Sequence, residues 1–285
     1  MKLCRFGEDR LGLVEDGTVR DVTAALTSLL PACRYPLPRH DLMIADLPSL
    51  GAAIAAGTAS AVHRLADVRL LSPVANPGKL VAAPVNYQAH LDEAIADEAT
   101  FSRAHVRKIQ ETGLFLKATS SLVGAGDTIE IRHPERRTDH EIELAVVIGR
   151  TCRDVARDEA LSVVAGYTIG LDITIRGPEE RSLRKSLDSY SVLGPWLVTA
   201  DEFGDPAGRD LRLTVNGETR QQANTRDLIM DVPALIAFAS SFYTLHPGDV
   251  LFTGTPEGVG PIAPGDRIAA AIDGIGLLEI GVTGR

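Results

Sequence analysis

Cysteine is scarce in this chain of 285 residues: Cys4, Cys33 and Cys152 are odd in number and far apart. They make no disulfide framework, which points to a reducing cytosol. Long apolar runs are lacking too. The longest, around Ala52 to Val62, is rich in Ala and Gly and too short to cross a bilayer, so no membrane partner is expected. After Met1-Lys2 the chain is soon interrupted by Arg5, Glu8, Asp9 and Arg10. No signal peptide is expected, and a soluble, cytoplasmic protein is. Basic charge is in deficit: 29 Lys and Arg face 38 Asp and Glu, a formal net charge of −9. Without a basic face to match phosphate, nucleic acid is excluded as a partner. Internal repeats and low-complexity tracts are also missing.

What remains is an ordered globular chain, 45% hydrophobic with its charges evenly spread. It is long enough to bury one large core, or a large and a small one. Residues 1–71 read as a small unit, with strands at Lys2–Phe6 and Leu11–Glu15 and a hairpin turn at Asp16-Gly17 into Thr18–Val22. A short helix follows over Ala24 to Leu30, then Pro31, Pro36 and Pro38. Ser72-Pro73 through Pro77-Gly78 reads as the linker into a main domain of residues 72–285. There a short strand, Lys79–Ala83, leads to a polar, weakly amphipathic helix over about Gln88 to Glu111, expected to serve as a mobile lid. Beyond it strands alternate with Gly, Pro and Asp turns. One well-formed helix is expected from Val232 to Tyr243, with Asp231 as N-cap and Pro233 in its first turn. The expected class is β-rich α+β: a mixed β-sandwich or roll preceded by a small N-terminal α/β domain.

One stretch carries chemistry. In Asp139-His140-Glu141-Ile142-Glu143-Leu144-Ala145-Val146-Val147-Ile148-Gly149, alternation along a strand puts Glu141 and Glu143 on one face, roughly 7 Å apart. Ile142, Leu144, Val146 and Ile148 then cover the other face, as a core requires. An arbitrary Glu-x-Glu pair is functional in roughly one case in ten. Asp172, in the second apolar stretch Gly166–Ile173, raises those odds because buried acids need partners. Three oxygen donors without thiolate or imidazole suit a hard divalent cation, Mg²⁺, Mn²⁺ or Ca²⁺, better than zinc.

His90 and Glu93 stand three apart on the expected helix, where a carboxylate can orient an imidazole as a general base. From spacing alone a plain surface pair is favoured about two to one. Lys185, ahead of Gly194-Pro195-Trp196, could stabilise an oxyanion, although most lysines are merely solvated. The loop Thr253-Gly254-Thr255-Pro256-Glu257-Gly258-Val259-Gly260 lacks the Lys-Ser/Thr of a P-loop and reads as a tight loop whose amides approach a ligand. His105, His133, His140 and His246 have no metal-ligand spacing and read as surface or structural.

Taken in order, several segments resemble the fumarylacetoacetate hydrolase (FAH) family over about Lys79 to Val282. They are Asn86-Tyr87-x-x-His90-x-x-Glu93, Phe115-Leu116-Lys117 with Ser120-Ser121, and His140-Glu141-x-Glu143-Leu144 through Gly149. Gly166-Tyr167-Thr168 with Asp172 follows, then Lys185-Ser186, Val215–Glu218 with Arg220-Gln221, and Thr253–Gly260. The resemblance implies an FAH-type catalytic fold, a homodimer, and Mg²⁺ or Mn²⁺ held by Glu141, Glu143 and Asp172, with Ca²⁺ as an occupant in crystals. It makes His90 and Glu93 a water-activating dyad and turns Lys185 toward the reacting carbonyl. Arg176 and Gln221 would hold the substrate, with Tyr87 and Thr255 as further contacts.

The implied reaction is hydrolysis of a carbon–carbon bond in an acylpyruvate-like β-diketo acid, releasing pyruvate or a related 2-oxo acid. Its rivals are a lyase or isomerase acting through the same metal enolate, and a non-catalytic, metal-stabilised binding protein. The chain departs from the family pattern after Asp172: Arg176 is kept, but Gly177 and Glu179 replace an acid and an amide. An ionised Glu179 cannot donate a hydrogen bond, which opens the distal end of the substrate to a neutral or hydroxylated group, such as that of a diketo sugar acid.

Overall fold

The computed structural model describes residues 1–31, 33, 35–57, 61–96 and 109–285. A mixed, twisted sheet runs through its centre. Its strands lie in the order Val62–Arg64, Thr18–Asp21, Arg10–Glu15, Lys2–Phe6, Ser191–Thr199, Val164–Asp172, Ile142–Ile148, Val250–Phe252, Leu80–Ala82 and Phe115–Lys117. Most pairs are antiparallel, but Val250–Phe252 and Leu80–Ala82 run parallel.

The strand Ile142–Ile148 is buried along its whole length. Ile142, Leu144, Val146 and Ile148 pack with Leu213, Ile268 and Ile280, which belong to a five-stranded sheet on one face. Ala145 and Val147 pack with Leu3, Ile44 and Leu50 of the N-terminal segment on the other. A strand covered on both sides reads as a continuous apolar run, which is what Leu144-Ala145-Val146-Val147-Ile148 is, with Glu143 the one polar residue of the strand ahead of it. At about 1.5–3 kcal/mol per fully buried aliphatic side chain, this strand is a main source of the fold's stability.

The expected uninterrupted strand from Asp139 to Gly149 is broken at Glu141. Thr138–His140 pairs with Thr174–Ile175 and Gly260–Pro261 in a three-stranded sheet of its own. The pairing between the two strands runs on through the break in one register: the Asp172 amide donates to the Glu141 carbonyl at 2.9 Å, and beyond it Asp139 faces Thr174, while the neighbour on the other side changes from Val250–Phe252 to Gly260–Pro261. The face opposite the glutamates is apolar as expected, yet the glutamates' own side of the strand is buried as well.

The N-terminal strands join the central sheet through Leu3, which pairs with Leu197. The expected helix at Gln88 to Glu111 is present as Gln88–Ala96 and Ile109–Thr112, and residues 97–108 of that stretch, His105 included, lie outside the described residues. The helix Val232–Phe242 begins as expected, with the Asp231 carboxylate accepting from the Ala234 amide at 2.9 Å. Among the described residues no helix is long and apolar enough to cross a membrane.

Candidate active site

Antiparallel register brings the acids together. Ile142 pairs with Leu171 and Glu143 with Gly170, so Asp172 at the end of its strand meets the Glu141–Glu143 turn. One carboxylate oxygen from each of Glu141, Glu143 and Asp172 lies within 4.8 Å of the others, and all three residues are buried. Charge of one sign at that density needs compensation. Lys185 Nζ donates to Glu141 at 2.8 Å, to Asp172 at 2.7 Å and to the Thr174 hydroxyl at 2.6 Å. Thr174 and Arg176 donate to the other Glu141 oxygen at 3.0 and 3.2 Å. Burial alone would raise Glu141, but Lys185 and Arg176 outweigh it and hold the carboxyl well below its usual range.

Glu143 is placed differently. One of its oxygens accepts from the Gly254 amide at 2.6 Å, and among the described residues nothing donates to the other. Burial, then the charges of Asp172 and Glu141, push its carboxyl well above the usual range. Gly254 makes its approach with φ +98°, where a Cβ would lie 2.7 Å from Asn86 Cβ. Only glycine fits there. Asn86 in turn clips this loop to the chain after Leu228, donating to the carbonyls of Thr253 (2.8 Å) and Met230 (2.9 Å).

The same loop reaches the expected dyad. His90 Nδ1 lies 2.9 Å from one Glu93 oxygen, and the other accepts from the Gly258 amide at 2.9 Å. His90 is buried while Glu93 is partly exposed. Tyr87, also buried, has its phenol pushed up by burial and then by Glu143, so it stays a protonated donor.

Three expected substrate contacts have protein partners. Arg176 Nε donates to Asp139 at 2.7 Å while the same guanidinium braces Glu141. Gln221 Oε1 accepts from the Ile142 amide at 3.0 Å and faces His140 Nδ1 at 3.1 Å. Its Nε2 donates to the Thr255 hydroxyl at 2.8 Å and the Pro256 carbonyl at 2.9 Å. Gln221 therefore spends its amide inside the protein.

Glu179 is gripped by Arg136 through two bonds of 3.0 and 2.7 Å, so its charge is met on the spot. A Cβ at Gly177 would fall 2.0 Å from Arg136 Nη2. The bare Gly177 backbone leaves room for the guanidinium of Arg136 to reach Glu179.

Lys117 of the Phe115-Leu116-Lys117 segment, to which the sequence assigns no role, belongs to the site as well. Its ammonium is fully buried and donates to Asp172, to the Lys185 carbonyl and, at 3.0 Å, to the Tyr190 carbonyl. Burial pushes it below the ordinary lysine range, and Asp172 offsets that only in part. The signal available was its place beside Phe115 in a short apolar strand. His140, read as surface or structural, is fully buried, whereas His133 is exposed beside Glu135.

Fold and site together define a β-rich enzyme with a buried carboxylate triad beside a histidine–glutamate pair. Residues 79–283 match the family model described as Fumarylacetoacetate (FAA) hydrolase C-terminal. The chain belongs to the fumarylacetoacetate hydrolase family. It is 56% identical to a maleylpyruvate hydrolase of Aquipseudomonas alcaligenes over 99% of both chains. It is 38% identical to a 2,4-didehydro-3-deoxy-L-rhamnonate hydrolase of a Sphingomonas species, over 91% of this chain and 85% of that one. The crystal structure of maleylpyruvate hydrolase from Sphingobium sp. SYK-6, in complex with manganese(II) and pyruvate, superposes with a TM-score of 0.85 at 42% identity. It covers 100% of this chain and 99% of its own.

Proposed function

We propose that this protein is a divalent-metal-dependent hydrolase that cleaves an acylpyruvate at a carbon–carbon bond, with maleylpyruvate the first substrate to try. Water and maleylpyruvate would give maleate and pyruvate. The observation that carries the reading is the joint placement of the carboxylate triad and the His90–Glu93 pair on one loop, through Gly254 and Gly258. The names of the relatives supply the substrate class.

The donor set fits Mg²⁺ or Mn²⁺: three buried carboxylates, one of them with an oxygen that no donor reaches among the described residues. Glu141, Glu143 and Asp172 would hold the ion, which supplies Lewis acidity for the 2-oxo acid and its enolate leaving group. His90 takes a proton from water, and Glu93, fixed by the Gly258 amide, orients the ring and steadies the resulting imidazolium. Lys185 offers its ammonium to the oxyanion formed at the attacked carbonyl. All three of its donors are engaged, so it exchanges one bond, the neutral Thr174 hydroxyl being the cheapest to give up. Arg176 keeps Glu141 ionised, Tyr87 and Thr255 contact the substrate, and Gln221 acts on Thr255. The enzyme works in the cytoplasm as a homodimer with residues 1–71 as a small N-terminal domain and 72–285 as the catalytic one.

Loss of enol absorbance from an acylpyruvate panel, with Mn²⁺ or Mg²⁺ against EDTA, tests this beside an oxaloacetate decarboxylation assay. Metal-dependent release of pyruvate is expected; oxaloacetate turnover with inert acylpyruvates would replace the hydrolase with a lyase. Glu143→Ala should lose both tight metal binding and turnover. His90→Ala should keep the metal and lose at least a hundredfold in rate, the contribution of about 10²–10⁴ typical of a positioned base. A normal rate in either variant removes that assignment.

A further inference from the structure

We infer that His140 and Gln221 are positioning residues that aim the Thr255 hydroxyl hydrogen at the substrate. The inference rests on the reading of Thr255 as a substrate contact and adds the groups that orient it.

The argument starts from two backbone groups. The Ile142 amide donates to one end of the Gln221 side chain at 3.0 Å, and the Pro256 carbonyl accepts from the other at 2.9 Å. An amide N–H can only donate and a carbonyl can only accept, so the orientation of the Gln221 amide is fixed. Its oxygen therefore faces His140 Nδ1 at 3.1 Å, and His140 must carry a proton on that nitrogen. His140 Nε2 is buried and, among the described residues, has no hydrogen-bond partner. It lies against Gly260, where even a Cβ would come within 3.4 Å of it. The Nδ1 hydrogen is thus spent on Gln221, and the ring makes no other hydrogen bond among the described residues.

Direction passes along the amide. Gln221 Nε2 donates its second hydrogen to Thr255 Oγ1 at 2.8 Å. Thr255 accepts on that side, so its own hydrogen must leave on another, and among the described residues no group accepts it although the side chain is fully buried. A buried hydroxyl with an unspent donor is ready for an acceptor that arrives with the ligand. The relay is anchored on Ile142, between Glu141 and Glu143, and Thr255 follows Gly254, which bonds Glu143. The hydroxyl is thereby referenced to the carboxylate triad through two routes. The acceptor of fitting chemistry is a carboxylate oxygen of the 2-oxo acid. Removing the relay leaves the hydroxyl free to turn back and donate to a protein group.

The test is steady-state kinetics on maleylpyruvate with Mn²⁺, for Thr255→Val, Gln221→Met, His140→Leu, His140→Asn and the pair His140→Leu/Thr255→Val. A carboxylate contact made equally in ground and transition states appears in KM and leaves kcat nearly unchanged. Thr255→Val, Gln221→Met and His140→Leu are each expected to raise KM roughly tenfold or more, as for a lost hydrogen bond to a charged group. The double variant should be no worse than Thr255→Val. His140→Asn, whose amide N–H takes the place of Nδ1–H, should restore most of the loss, and Mn²⁺ affinity should not move. Pyruvate titrated into the Mn²⁺-loaded protein reads the same contact without turnover.

Wild-type KM in His140→Leu, or a double variant whose losses simply add, overturns the relay while leaving Thr255 in place. Wild-type KM in Thr255→Val removes the contact itself, and the relay with it, yet leaves hydrolysis standing. A wild-type protein that neither hydrolyses acylpyruvates nor binds pyruvate overturns both readings. Should His140→Leu fail to fold, Gln221→Met decides by the same criteria.

Discussion

Glu143 is the acid whose charge is least provided for by protein. Lys185 bonds its two neighbours, whereas Glu143 receives one amide. Burial first, and the two nearby carboxylates second, raise its pKa, so in the metal-free protein it holds a proton at pH values where an ordinary glutamate has lost one. The sign follows: a cation binds the ionised form, so loading expels that proton, and apparent metal affinity rises with pH through the window between the ordinary and the raised value. Mn²⁺ titrations by calorimetry in two buffers of different ionisation enthalpy should report proton release at pH values just above the ordinary glutamate range. Release of no protons across that range would contradict the raised pKa. Lys117 belongs to the same balance. Lys117→Met keeps the volume but removes one of the two ammonium groups on Asp172. Breaking a buried pair costs about 3–5 kcal/mol; urea unfolding should show a loss near the lower end without metal, because Lys185 remains, and a smaller one with Mn²⁺.

Among the elements, the loop from Thr253 to Gly260 connects the separate parts of the site. It bonds Glu143 through Gly254, Gln221 through Thr255 and Pro256, and Glu93 through Gly258. Gly254→Ala would place a Cβ 2.7 Å from that of Asn86 at φ +98°. Strain of this kind costs about 1–3 kcal/mol, and here it is relieved by moving the amide off Glu143. Weaker Mn²⁺ binding with little change in melting temperature is expected, and unchanged binding would detach the loop from the metal site. The loop was legible as a tight turn with ligand-facing amides because Gly and Pro mark such geometry locally. Its partners were not, since they lie far away in the chain. The Val232–Phe242 helix was equally legible, its Asp231 cap and Pro233 being neighbours in sequence. The break at Glu141 was hidden because a strand that changes sheets looks the same, residue by residue, as one that does not. The three acids could be suspected from Glu-x-Glu and a distant Asp, but only the register of Ile142 on Leu171 brings them together. The orientation of the Gln221 amide left no trace in the sequence at all.

At the scale of the whole molecule, the family match begins at residue 79 while the sheet does not. Lys2 and Leu3 pair with Val198 and Leu197, and the N-terminal residues Leu3, Ile44 and Leu50 share a core with Ala145 and Val147 of the strand that carries Glu143. A division of the chain at residue 71 therefore separates units that share backbone hydrogen bonds. Removal of residues 1–71 would uncover Leu197 and Val198, now fully buried, and leave their strand without its neighbour. An open, flat, apolar edge is a template for any passing strand. The shortened chain is expected to associate through that edge, visible as larger species by light scattering and as recovery in inclusion bodies; a well-behaved, active product would show the catalytic part to be self-sufficient. On that expectation the N-terminal segment doubles as a chaperone in cis for the long strand Ser191–Thr199: it moves the sheet's edge from that buried apolar strand out to the short, polar Val62–Arg64.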